Sequence, residues 1–127
     1  MPPLTVMTHF LALIAAALTI ACTGDGVVGQ RCAIGGKASN PDEVIVTSPS
    51  LDCPTRTCLH VADGQDMCTA DCTSDDDCQA VADSPCETGF TCAVPVVVGP
   101  FACRSMCMCR DTLEVPAGGI PTPEACR

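Results

Sequence analysis

The sequence predicts a small disulfide-rich domain, loop-dominated with short antiparallel β-strands and little helix outside a signal peptide. Three observations predict it. Thirteen cysteines fall within 127 residues, an apolar run of signal-peptide length opens the chain, and large apolar side chains are scarce beyond that run. A chain this long has room for one small domain plus accessories.

Residues 1–21 are read as a signal peptide. No acidic or basic side chain precedes Asp25 apart from His9, and the run Phe10-Leu-Ala-Leu-Ile-Ala-Ala-Ala-Leu-Thr-Ile-Ala21 is apolar over twelve residues. Twelve residues are too few to span a bilayer and suit the h-region of an export signal. Its removal leaves Phe90 and Phe101 as the only aromatics, and the whole net charge of −9 stays with the mature part. The core candidates are Val44, Ile45, Val46, Leu51, Leu59, Val61, Val94, Val96, Val97, Val98 and Leu113. These cannot offset the entropy of ordering about a hundred residues. Disulfides at about 2–5 kcal/mol each are expected to supply the difference.

The next stretch, residues 22–31, is expected to be a lipidated N-terminus and flexible tether, because Thr23-Gly-Asp-Gly-Val-Val-Gly-Gln30 is rich in glycine. Residues 32–127 form the cysteine-rich domain. Within it, Glu43-Val-Ile-Val-Thr47 and Thr57-Cys-Leu-His-Val61 read as short strands. Ser74-Asp-Asp-Asp77 reads as a capped helical turn with acids in its first turn. Phe90-Thr-Cys-Ala-Val94, Val96-Val-Val98 and Phe101-Ala-Cys103 suggest a hairpin or a pair of edge strands, since Pro95 bars a central strand. The tail from Val115 to Pro123 is loop, tied down by Cys126.

An odd cysteine count in an exported chain calls for an explanation. Leu18-Thr-Ile-Ala-Cys22 resembles a bacterial lipobox, with Thr19 where the pattern prefers leucine. Lipid on Cys22 leaves twelve (13 − 1): Cys32, Cys53, Cys58, Cys68, Cys72, Cys78, Cys86, Cys92, Cys103, Cys107, Cys109 and Cys126. Twelve allow six disulfides, and sequence proximity suggests Cys53–Cys58 and Cys68–Cys78 as local pairs. Signal cleavage without lipid is the alternative. Thr23, rather than Asp, after Cys22 favours an outer membrane where the cell has one.

Two stretches carry a family likeness: Glu43-Val-Ile-Val with Ser50, Asp52, Cys53, Arg56, Cys58 and Leu59, and Cys68-x3-Cys72-Thr-Ser-Asp-Asp-Asp-Cys78 continuing through Cys86 to Gly89-Phe90-x-Cys92. Together they resemble uncharacterised cysteine-rich lipoproteins of predatory or gliding soil bacteria, over residues 43–109. The element Cys72, Asp75, Asp77, Cys78 is also similar to one in eukaryotic four-disulfide and Dickkopf-like modules. The resemblance implies a style of protein and no activity.

Chemistry-bearing clusters are few. His60, the single histidine of the mature part, has Asp63 and Asp66 nearby, yet no nucleophile elbow or catalytic glycine loop accompanies it. A general base needs an oriented partner and a nucleophile, so a solvated loop histidine and no enzyme are expected. Asp71, Asp75 and Asp77, with Asp63, Asp66 and Asp76, are candidate Ca²⁺ ligands, but the glycine turn and distal glutamate of an EF-hand are absent. Met106-Cys-Met-Cys109 offers soft sulfur for Cu(I), against which stands an oxidising compartment. Neighbouring cysteines in Cys-x-Cys reach different partners when oxidised. No cofactor is expected. The segment between Cys92 and Cys103 is an apolar loop fixed at both ends, read either as modest core or as a binding surface.

Net charge and the scattering of Arg31, Lys37, Arg56, Arg104, Arg110 and Arg127 exclude a phosphate-tracking surface, hence no nucleic acid. The expected protein is a non-catalytic cell-envelope lipoprotein, a structural or interaction domain whose partners are an envelope protein or ligand and the membrane that holds its N-terminal lipid. A soluble secreted inhibitor or ligand-binding module is the other reading.

Overall fold

The computed structural model describes residues 26–35, 42–62 and 64–127. The expected signal peptide, Cys22 and Asp63 lie outside these residues. The described chain is mostly loop, with five short strands: β1 (Ile45–Thr47), β2 (Cys58–His60), β3 (Met67–Cys68), β4 (Phe90–Ala93) and β5 (Met106–Cys109). They form an antiparallel three-stranded sheet, β1-β2-β3, and an antiparallel β4-β5 pair. Three-residue 3₁₀ turns occupy Asp75–Asp77, Arg110–Thr112 and Glu124–Cys126. The expected fold class is the observed one.

All twelve cysteines from Cys32 onward are paired: Cys32–Cys58, Cys53–Cys68, Cys72–Cys92, Cys78–Cys107, Cys86–Cys109 and Cys103–Cys126. Neither short-range pair expected from proximity forms. Residues 53–56 make a turn instead, in which the Arg56 N–H donates to the Cys53 carbonyl at 3.0 Å. Pairing of β2 with β3 then sets Cys68 opposite Cys58, within reach of the turn that carries Cys53. Cys78, at the end of the 3₁₀ turn, reaches across to β5.

The pairing is segregated. Two disulfides lie within residues 32–68 and four within 72–126, and none joins the two sets. Non-covalent contacts hold them together. The buried Thr69 hydroxyl donates to the Cys107 carbonyl at 2.7 Å, and the Cys107 N–H donates to the Ala70 carbonyl at 3.0 Å. Leu59 and Val61 of one set pack with Ala93 and Met108 of the other.

Sulfur fills much of the interior. Among the described residues, eight of the sixteen buried apolar ones are cysteines, so the crosslinks are themselves the core material. Leu59 and Val61 are buried as expected, with Val44, Val46 and Leu113 packed partly against them. Leu51 is not core: it is 80 % exposed at a turn.

Residues 26–31 differ from a free tether. Val28 is fully buried in one cluster with Met67, Phe90 and the cysteines Cys72, Cys78, Cys86, Cys107 and Cys109. Its carbonyl accepts from the Val81 N–H at 2.9 Å, and the Gly29 N–H donates to the Cys68 carbonyl at 2.9 Å. Glycine is required here. A Cβ at Gly26 would lie 2.0 Å from the Gln79 carbonyl oxygen, and Gly29, at φ +86°, lies against Ser84 and Phe90.

The hairpin or pair of edge strands expected within residues 90–103 also differs. β4 pairs with β5, in the register Phe90↔Cys109 to Ala93↔Met106, and residues 94–105 form the connection. Pro95 ends the strand, and the chain turns back where the Cys103 N–H meets the Val96 carbonyl at 3.0 Å.

Candidate functional site

The connection from β4 to β5 is the most distinctive surface. Residues 93–102 contain no charged side chain. Disulfides secure both feet, Cys92 to Cys72 and Cys103 to Cys126. An Ala102 N–H bond to the Gly99 carbonyl at 3.2 Å closes the bend, with Gly99 at φ +82°. At the base, the Arg104 guanidinium lies 5.4 Å from the centre of the Phe101 ring and pairs with Asp71. Val97 and Val98 project, 43 % and 76 % exposed. The core reading therefore fails for these two valines, because both disulfides hold the feet of the loop and leave its crest outside. Half-buried Val94 and Val96 form its lower part.

The three candidate Ca²⁺ aspartates each serve a different structural bond. Asp71 pairs with Arg104. Asp77 accepts from the Thr73 N–H at 2.7 Å, the Thr73 hydroxyl at 2.8 Å and the Ser74 N–H at 3.1 Å. Those bonds hold its carboxyl below the usual aspartate range, the Thr73 N–H contributing most. Asp75 reaches the other way. Its Oδ1 accepts from the Cys92 N–H at 2.7 Å and the Thr91 hydroxyl at 3.0 Å, while its Oδ2 meets Arg110 at 2.5 Å. The Cys92 N–H, then Thr91 and Arg110, lower its pKa. Arginine side chains, threonine hydroxyls and backbone N–H groups thus share these three carboxylates between them.

His60 lies half-buried on β2 rather than in a solvated loop. Its Nδ1 hydrogen-bonds Asp66 Oδ1 at 2.7 Å, and its Nε2 is buried without a hydrogen-bond partner among the described residues. A general base must reach the proton that it takes, and this nitrogen is walled in.

The four sulfur residues 106–109 form β5, all buried. Strand alternation divides them: Cys107 and Cys109 pack in one cluster and Met108 in another. Cys107 and Cys109 bond to Cys78 and Cys86 respectively. Among the described residues, the groups spaced closely enough to share a metal are each built on these and other disulfide sulfurs, whose lone pairs are poor ligands compared with thiolates.

Sequence reasoning missed Asp111. It accepts from the Thr88 hydroxyl at 2.5 Å and from the Thr88 and Glu87 N–H groups at 2.8 and 2.9 Å, tying residues 86–88 to the end of β5. These bonds, the Thr88 hydroxyl first, lower its pKa. Beside it opens a cleft of about 160 Å³ between the sheets, lined by Val61, Met67, Pro85 and Cys109 with Gln65 and Asp111 at its rim. No short-range motif in the sequence announces either feature.

No family model, curated protein or solved structure matches this chain. What the geometry establishes is a small domain stapled by six disulfides, of the kind found outside the cell or in its envelope. Among the described residues no helix is long and apolar enough to cross a membrane.

Proposed function

We propose that the protein is a non-catalytic lipoprotein of the cell envelope, a rigid interaction or structural module tethered through a lipid on Cys22. The observation that carries this reading is the closure of the twelve cysteines from Cys32 to Cys126 among themselves. None of them is left as a partner for Cys22, which follows the apolar run in a lipobox-like context. The domain begins close behind it. Five residues separate Cys22 from buried Val28, a reach of at most about 22 Å over the six steps, so a lipid there holds the domain near the bilayer surface. Thr23 after Cys22 favours the outer membrane in a cell that has one.

Metabolic labelling with a radioactive or alkynyl fatty acid tests this. Label is expected on the wild-type chain and absent from Cys22→Ser; a wild-type chain that takes up no label contradicts the lipid anchor.

The second reading is a secreted ligand-binding or inhibitory module. It is favoured by the exposed crest at Val97 and Val98, since a loop with both feet crosslinked loses little entropy on binding. In that case the cell-free medium holds the mature chain, unlabelled.

A further inference from the structure

Thiol–disulfide exchange needs a sulfur that a thiolate can reach, and access separates one bridge of this domain from the rest. Five of the six bridges have at least one buried half-cystine. Cys103–Cys126 has none: Cys103 is exposed and Cys126 half-buried. Loop length does not set this bridge apart, since its separation of 23 residues equals that of Cys86–Cys109. Backbone conformation does. Alone among the twelve paired cysteines, Cys103 stands in the left-handed region, at φ +61°, which a residue with a Cβ rarely occupies.

The same bridge fastens residues 114–127. None of these residues is buried, and among the described residues their N–H hydrogen bonds all stay within the segment. Gly119 donates to the Pro116 carbonyl at 3.0 Å, Cys126 to Pro123 at 2.9 Å and Arg127 to Glu124 at 3.3 Å, while Arg127 Nε donates to the Thr122 carbonyl at 3.1 Å. Half-buried Ile120 packs against Leu59, Val61, Ala93 and Met108, the cluster in which the two crosslinked sets meet. The segment is therefore a strap over that apolar joint. Half-buried side chains at Val115, Ile120 and Pro123 do not offset the entropy of ordering so long a stretch, so the bridge holds the strap down.

We propose that Cys103–Cys126 is a site of thiol–disulfide exchange with a dithiol reductant, and that its reduction lifts the strap off the joint. One thiolate of the reductant attacks the sulfur of exposed Cys103. A mixed disulfide forms, and the Cys126 thiolate leaves and takes up a proton. The reductant's second thiol, deprotonated, attacks its partner sulfur in the mixed disulfide and expels the Cys103 thiolate, which is protonated in turn. Two electrons and two protons have passed: the dithiol is now a disulfide and the bridge is two thiols. The other five bridges, each with a buried end, keep both crosslinked sets folded. Leu59, Val61, Ala93 and Met108 then present apolar surface in the reduced state alone. The inference rests on the disulfide framework and is independent of the lipid on Cys22.

The test titrates the full oxidised chain, purified in detergent after export, with dithiothreitol, blocks thiols with N-ethylmaleimide at each step and maps them by mass spectrometry. Cys103 and Cys126 are expected to take the label before any other of the twelve, with five bridges intact. In that chain the amides of Gly119, Cys126 and Arg127 are expected to exchange at least roughly tenfold faster. Peroxide is expected to oxidise Met108 faster, while Met106 keeps its rate. A different bridge that opens first overturns the proposal, as does the simultaneous opening of several. So does a chain reduced at Cys103 and Cys126 whose strap amides or Met108 keep their oxidised-state rates. Cys103→Ser with Cys126→Ser supplies a second arm: without reductant, this double variant is expected to match the reduced wild type in both readouts. Rates equal to those of the oxidised wild type overturn the strap.

Discussion

The Asp75 carboxylate accepts the Cys92 N–H at 2.7 Å and so covers the outer edge of β4 with a side chain in place of a strand. The same residue opens the 3₁₀ turn Asp75–Asp77, so one acid ties the start of that turn to the edge of β4. With Arg110 on its other oxygen, it joins the turn, β4 and the residue following β5. Asp75→Ala is expected to destabilise the oxidised domain by ~1 kcal/mol, the low end for a charged hydrogen bond because the pair is partly exposed. Denaturant unfolding with disulfides intact measures this, and the Cys92 amide is expected to exchange faster. Unchanged exchange at Cys92 argues against the cap.

Acid is expected to undo the same bonds. Asp75, Asp77 and Asp111 have folded-state pKa values below the ordinary aspartate value, through hydrogen bonds led by the Cys92 N–H, the Thr73 N–H and the Thr88 hydroxyl respectively. A depressed pKa contributes stability that is fully present above the unfolded value, about 4, and is lost as pH falls through the folded value. Stability is therefore expected to be level with respect to these groups above about pH 5 and to decline below about pH 4. In an NMR titration the amide signals of Cys92, Thr73 and Thr88 are expected to move with their aspartates, with midpoints below that of a model aspartate.

Burial of Val28 makes a contrast with Leu51. Val28→Ala opens a void in the cluster of Phe90, Met67 and five half-cystines and is expected to cost about 2 kcal/mol. Leu51→Ala, at an 80 % exposed position, is expected to stay within about 0.5 kcal/mol of wild type. Equal costs at the two sites contradict the packing described for residues 26–31.

The crosslinks divide at residues 69–71, and cleavage there is informative. Protease nicking between Cys68 and Cys72 is expected to give two fragments that separate in denaturant without reductant, because no disulfide spans the cut. Fragments that remain joined under those conditions require a bridge between the two sets.

Some of this architecture was legible in the residues. Glu43 to Thr47 and Thr57 to Val61 are β-branched or apolar runs between turn residues, and strands β1 and β2 lie within them. Ser74 followed by three acids is the 3₁₀ turn, with Asp77 reaching back to the Ser74 N–H. Other parts follow from long-range crosslinks that spacing cannot supply. Met106 to Cys109 does not alternate in polarity, so β5 has no strand signature, yet it is the partner of β4. Val28 stands among glycines and reads as linker, and only the fold reveals that those glycines permit close approach. The valines at 96–98 read as core by composition alone; Pro95 and the Cys103 contact to Val96 turn their crest outward. His60 illustrates the same limit, because the fold of residues 61–66 brings Asp66 to its ring.

Disulfide mapping tests the central claim most directly, by digesting the mature chain under non-reducing, thiol-blocked conditions and sequencing the linked peptides by mass spectrometry. The expected result is six bridges, Cys32–Cys58, Cys53–Cys68, Cys72–Cys92, Cys78–Cys107, Cys86–Cys109 and Cys103–Cys126, with Cys22 in none of them. A bridge that includes Cys22, or free thiols among the other twelve, contradicts the account.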